Sequence, residues 1–120
     1  MGNPFVYVQL QTQDLPKAKA FYEKLFDWKY DEKTTGFGPY VEINVGSGTA
    51  GGMVGQRDAG APSRWVPYVV VDDIDAATTQ ARTLGATVVQ GPVALPNKSK
   101  FSMLVDPTGA MFALHQPPPK

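Results

Sequence analysis

The chain has 120 residues, the length of one ordinary domain, and its eleven basic and eleven acidic side chains cancel to zero formal charge. No segment gathers Lys and Arg into a run able to track phosphates, so nucleic acid is not the expected partner. Cysteine is absent, which excludes disulfide scaffolds, thiolate metal centres and cysteine nucleophiles. The longest apolar run, Val66 to Val71, is far short of the roughly 20 residues that span a bilayer. With no charged, apolar leader at the N-terminus, no membrane association and a cytoplasmic location are the expectation.

Twelve glycines and eleven prolines beside only 18% charged residues suit short strands joined by tight turns rather than a helical bundle. From Phe5 to Thr12, Val6, Val8 and Leu10 alternate with Tyr7, Gln9 and Gln11, which predicts a strand with one apolar and one polar face. Asp14 offers an N-cap, Pro16 suits a first helical turn, and Leu15, Ala18, Tyr22, Leu25 and Phe26 recur at helical spacing, predicting a helix over 15–26. Strands are expected at Trp28–Tyr30, Tyr40–Val45 and Ala50–Val54, with turns at Thr35-Gly-Phe-Gly38 and Gly46-Ser-Gly48.

The second half repeats this order. Trp65–Val71 reads as a strand and Asp73 as an N-cap. Ile74, Ala77, Ala81 and Leu84 form a helical stripe ended by Gly85. Strands follow at Ala86–Gln90, Phe101–Val105 and Ala110–His115, with a turn at Asp106-Pro-Thr-Gly109. The offset that lays Asp14 on Asp73, 59 residues, also lays Leu10 on Val69, Leu15 on Ile74, Ala18 on Ala77 and Leu25 on Leu84. The expected fold is α+β, two repeated β-α-β-β-β modules (about 5–56 and 64–116, then a tail at 117–120) that fold together as a single domain over 1–120. Leu25 and Leu84, equivalent in the repeat, are expected to pack against their sheets.

Thr12-Gln-Asp14 followed by Ala18, Phe21-Tyr22 and Leu25-Phe-Asp-Trp28 resembles the opening of the vicinal oxygen chelate superfamily, which includes glyoxalase, bleomycin-resistance and extradiol dioxygenase proteins. Val71-Asp-Asp-Ile-Asp75, Leu84-Gly-Ala86 and Asp106-Pro-Thr-Gly-Ala110 agree, and the resemblance runs from about Phe5 to Gln116. It implies curved mixed sheets forming a concave pocket, and a homodimer. In metal-using members, His- and Glu-type side chains on the first and last strand of each module hold a divalent ion. Their positions fall here on Tyr7, Val66, Ala113 and either Met53 or its neighbour Val54, none of which is such a ligand.

No metal site and no cofactor are therefore expected. The expected ligand-lining residues are Tyr7, Gln9, Met53, Val66, Tyr68, Ala113 and His115, around a site for a small molecule. His115 is the only histidine, hence the only side chain with an unperturbed pKa near neutrality, and with Tyr7 it is the candidate for acid–base chemistry. Asp72, Asp73 and Asp75 read as helix-capping and first-turn carboxylates rather than a metal cluster. No phosphate loop or nucleophile elbow is present. The function expected is metal-independent small-molecule binding. The alternative is a lyase, isomerase or dioxygenase-like enzyme with relocated ligands such as Glu42 and His115, or with metal-free acid–base residues.

Overall fold

Ten elements alternate in the computed structural model, which describes residues 2–35, 38–55 and 60–119. They fall into two compact units, Tyr7–Val66 and Met1–Val6 with Pro67–Lys120, whose boundaries cut through the first and fifth strands. The sequence turn at Gly36-Phe37 lies outside the described residues.

The Tyr7–Val66 unit takes most of β1 (Phe5–Thr12), then α1 (Leu15–Leu25), β2 (Lys29–Thr35), β3 (Gly38–Asn44) and β4 (Ala50–Gly55). Its strands lie in the order β2-β3-β4-β1, with β1 and β4 parallel and the other pairs antiparallel. The Asp14 carboxylate accepts from the Lys17 amide at 3.0 Å and starts α1, as the capping residue should. Leu10, Val41, Ile43 and Met53 form the core of this unit, and Leu15, Ala18, Tyr22, Trp28 and Tyr30 pack onto it.

The second unit holds most of β5 (Arg64–Val70), then α2 (Ile74–Thr83), β6 (Thr87–Ala94), β7 (Lys100–Val105) and β8 (Met111–Gln116), in the order β5-β8-β7-β6. Here too the module's first and last strands, β5 and β8, are parallel. The repeat read from sequence is thus a repeat of topology. Asp73 caps α2 through the Ala76 amide at 3.1 Å, and Gly85 follows with a φ of +103°, the left-handed conformation that a residue without Cβ adopts without strain. Ile74, Leu104 and Leu114 make the core, while the buried hydroxyls of Thr78 and Ser102 satisfy each other at 2.9 Å.

Three expectations are corrected. Leu25 and Leu84 are 57% and 70% exposed, because each helix closes its packed face a turn earlier, on Tyr22 in α1 and Ala81 in α2. β2 runs to Thr35 although Asp31, Glu32 and Lys33 break any apolar pattern, since its ladder with β3 supplies seven residue pairs of backbone bonding. β6 runs to Ala94, four residues beyond Gln90, across the register irregularities between Val88 and Val93. Pro117–Pro119 lie exposed outside any regular element, and no helix among the described residues is long and apolar enough to cross a membrane.

Candidate functional site

Cross-strand partners share a face, so the pairing decides which sequence candidates stand together. In the Tyr7–Val66 unit, Tyr7 pairs with Ala50, Gln9 with Gly52 and Gln11 with Val54, while Tyr40 and Glu42 pair with Val54 and Gly52. Tyr7, Gln9, Gln11, Tyr40, Glu42, Gly52 and Val54 therefore share the face opposite α1. Met53 does not. It pairs with Leu10 and Val41 and is fully buried in the helix-side core, so the residue of the fourth strand that stands with Tyr7 and Gln9 is its neighbour Val54. A shift of one residue along a strand exchanges the two faces, which is why Met53 stands on the helix side.

Gly52 forms the floor of this face. A Cβ built there would overlap the hydroxyl oxygens of both Tyr7 and Tyr40 and lie 2.9 Å from Tyr40 Cζ, so the two phenols close over a position that has to lack a side chain. Tyr7 and Glu42 also contribute, with Asn44, Ala50 and the Gly46–Gly48 turn, to a cavity of about 380 Å³, within the size range of small-molecule sites. Glu42 is not a free carboxylate: its Oε2 meets Lys33 Nζ at 3.2 Å, and Asp31 approaches the same ammonium at 3.7 Å. These bonds, Glu42's hydrogen bond first, hold the Lys33 pKa above its ordinary value.

A chain of polar bonds crosses the face. Arg64 Nε donates to Gln11 Oε1 at 3.1 Å, and Gln11 Nε2 donates to Gln9 Oε1 at 3.1 Å. Arg64 is placed by its neighbour: Trp65 packs edge-on against Tyr22 and Trp28, with centroids 5.5 and 6.4 Å away, and alternation sends Arg64 to the opposite side. The approach to β5 is pinned by Ser63, whose hydroxyl accepts from the Gln13 amide at 3.0 Å, and by the Gln13 side chain bonded to the Ala61 carbonyl. Arg64, Tyr40 and Gly52 lie outside the set expected from sequence, where Tyr40 reads as a core aromatic and Gly52 as a turn or close-packing residue; continuing the β5 alternation back from Tyr68 and Val66 by two residues would have found Arg64.

Val66, the last residue of this unit, is fully buried. In the other unit, Tyr68, Ala113 and Met103 form one cross-strand row and Val70, His115 and Phe101 the next. Tyr68, Ala113 and His115 thus share one face, opposite the Leu104–Leu114 core. Tyr68 and Ala113 are buried and His115 half-buried. Burial lowers the His115 pKa, which favours its neutral imidazole.

The donor chemistry does not fit the divalent site of metal-using relatives: Tyr7, Val54, Val66 and Ala113 offer one phenol and three hydrocarbon side chains. Among the described residues, no three His, Asp or Glu side chains group as a metal-ion site would require.

Residues 5–114 match the profile of the Glyoxalase/Bleomycin resistance protein/Dioxygenase superfamily. The chain belongs to that superfamily. A Mycobacterium tuberculosis protein provisionally named a glyoxylase, CFP32, is 30% identical over 116 residues, covering 96% of this chain and 44% of its own length. The anthracycline biosynthesis protein DauV of Streptomyces sp. strain C5 is 24% identical over 123 residues, covering 90% of this chain and 45% of DauV. This superfamily member therefore spans less than half the length of these relatives. Among solved structures, methylmalonyl-CoA epimerase from M. tuberculosis superposes with a TM-score of 0.70 at 18% identity, covering 96% of this chain and 88% of the epimerase. Hypothetical protein BH1468 of Bacillus halodurans does so with 0.73 at 10% identity, covering 100% and 98%. These similarities establish the glyoxalase-like α+β fold.

Proposed function

We propose that this chain is a small-molecule-binding protein of the glyoxalase/bleomycin-resistance type that works without a metal. The observation that carries the reading is the chemistry at the superfamily's ligand positions, where a phenol, isopropyl groups and a methyl replace imidazole and carboxylate. The face of Tyr7, Gln9, Gln11 and Tyr40 offers instead phenol and amide groups beside a cavity of small-molecule size. Elemental analysis of protein purified without chelator, with a thermal-shift screen of small molecules in the presence and absence of EDTA, tests it. Stabilisation by a compound that EDTA leaves unchanged is expected, since a ligand of the native state raises the melting temperature. Stoichiometric metal together with a large metal-dependent shift would overturn it. A homodimer in the cytoplasm completes the proposal.

One observation favours a second reading as an enzyme, the half-buried His115 on the same face as Tyr68 and Ala113, with a pKa that burial lowers. The glyoxylase and epimerase names of its relatives point the same way. Proton exchange at carbon next to a carbonyl, followed by NMR in D₂O with and without His115→Gln, tests it: catalysed exchange lost in the variant supports an enzyme using His115, and no catalysed exchange removes proton transfer by His115.

A further inference from the structure

The polarity of the Arg64–Gln11–Gln9 chain is set by chemistry. A guanidinium N–H can only donate. Arg64 Nε therefore holds the oxygen of the Gln11 amide toward itself, and Gln11's nitrogen is committed to Gln9 Oε1. Gln9's oxygen is then engaged, so the terminal group of the chain is Gln9 Nε2, a pair of N–H donors. Gln11, in the middle, is only 9% exposed, so it is held in this orientation rather than exchanging partners with water.

Gln9 pairs with Gly52, over which the Tyr7 and Tyr40 phenols close, so its amide lies on the face that these two phenols share. Arg64 stands in none of the ion pairs among the described residues, and its recorded partner is a neutral amide, so its charge polarises the chain toward donation. Glu42, on the other side of Gly52, and Asp31, paired with Glu42 one strand further out, are the carboxylates of this face, and both meet the Lys33 ammonium.

We propose that this face is an acceptor-binding site: Gln9 Nε2 donates to a carbonyl or carboxylate oxygen of an aromatic or aliphatic small molecule, and Arg64, acting through Gln11, is a positioning residue. The inference rests on the small-molecule reading and adds the class of ligand. ¹⁵N-labelled protein is titrated with acetophenone, benzoate and toluene, three probes of similar size that carry a neutral acceptor, an anionic acceptor and none. The side-chain amide resonances of Gln9, assigned with Gln9→Glu, shift downfield and saturably with acetophenone or benzoate and not with toluene. The stronger of the two acceptors tells whether neutral carbonyl or carboxylate ligands are preferred. Gln9→Glu, which keeps the shape but exchanges donors for acceptors, weakens binding at least tenfold. Arg64→Met weakens it by a smaller factor and Arg64→Lys restores it, since a lysine ammonium also donates only; unchanged backbone spectra report that each variant is folded. Probes that bind while the Gln9 amide is unmoved, or toluene binding as well as acetophenone, would overturn the acceptor site and leave the small-molecule reading standing. Failure of all three probes to bind would count against both.

Discussion

Gly52→Ala probes the floor of the candidate site with a single methyl group. The Gly52 backbone lies outside the left-handed region, so alanine meets no backbone penalty, and it removes unfolded-state freedom, an effect that stabilises by about 0.4–1 kcal/mol. Against this, the new Cβ would overlap the Tyr7 and Tyr40 hydroxyls, and both rings must swing away. Overpacking of this kind destabilises by about 1–3 kcal/mol. The net loss is then up to about 2.6 kcal/mol, or a fall in Tm of up to roughly 10 °C for a chain of this size. Urea unfolding followed by tryptophan fluorescence measures the loss, and the ring resonances of Tyr7 and Tyr40 report the displacement. In a Tyr7→Phe background one of the two obstructing oxygens is gone, so the same substitution should cost less by about 0.5–1 kcal/mol, the coupling a double-mutant cycle reads between touching residues. Gly52→Ala at wild-type stability or above, with both tyrosine ring environments unchanged, would refute the placement of the two phenols over Gly52.

Ile74→Ala should lose about 2–5 kcal/mol, because Ile74 is fully buried in the α2 core, whereas Leu84→Ala should stay below about 1 kcal/mol at a position mostly in solvent; urea midpoints compare the two. Ser102→Ala and Thr78→Val should each lose about 1–3 kcal/mol by stranding the partner hydroxyl, and the double variant should lose clearly less than their sum; additive losses in calorimetry would mean the pair is not hydrogen-bonded. For His115 the folded pKa is depressed, so between its unfolded value near 6.5 and the folded value the unfolded chain binds more protons. Stability should accordingly fall as pH is lowered through that window, and His115→Gln should show a smaller drop in Tm between pH 7.5 and pH 5. Light scattering should give about twice the 13.0 kDa chain mass; the monomer mass held over a wide concentration range would remove the homodimer.

What the sequence determined by itself is local or repeated. The strand alternation of Phe5–Thr12, the Asp14 and Asp73 caps and the offset between the modules each depend on residues close together in the chain, and each has the structure its chemistry requires. The superfamily was legible for the same reason, since its motifs are these caps, stripes and turns. The Asp106 turn is a further case: its carboxylate accepts from the Thr108 hydroxyl and from the Thr108 and Ala110 amides, which also lowers its pKa. What the tertiary structure decided is register and the reach of packing. Whether Met53 or Val54 stands with Gln9 turns on one residue of strand pairing, and a backbone ladder, not a side-chain pattern, sets it. Leu25 and Leu84 obey the helical period yet end in solvent, because periodicity specifies a face and cannot say where the sheet beneath that face stops. The Arg64–Gln11–Gln9 chain joins residues 53 and 2 positions apart, and its longer link exists only because Trp65, packed on Tyr22 and Trp28, turns Arg64 to the other side of its strand.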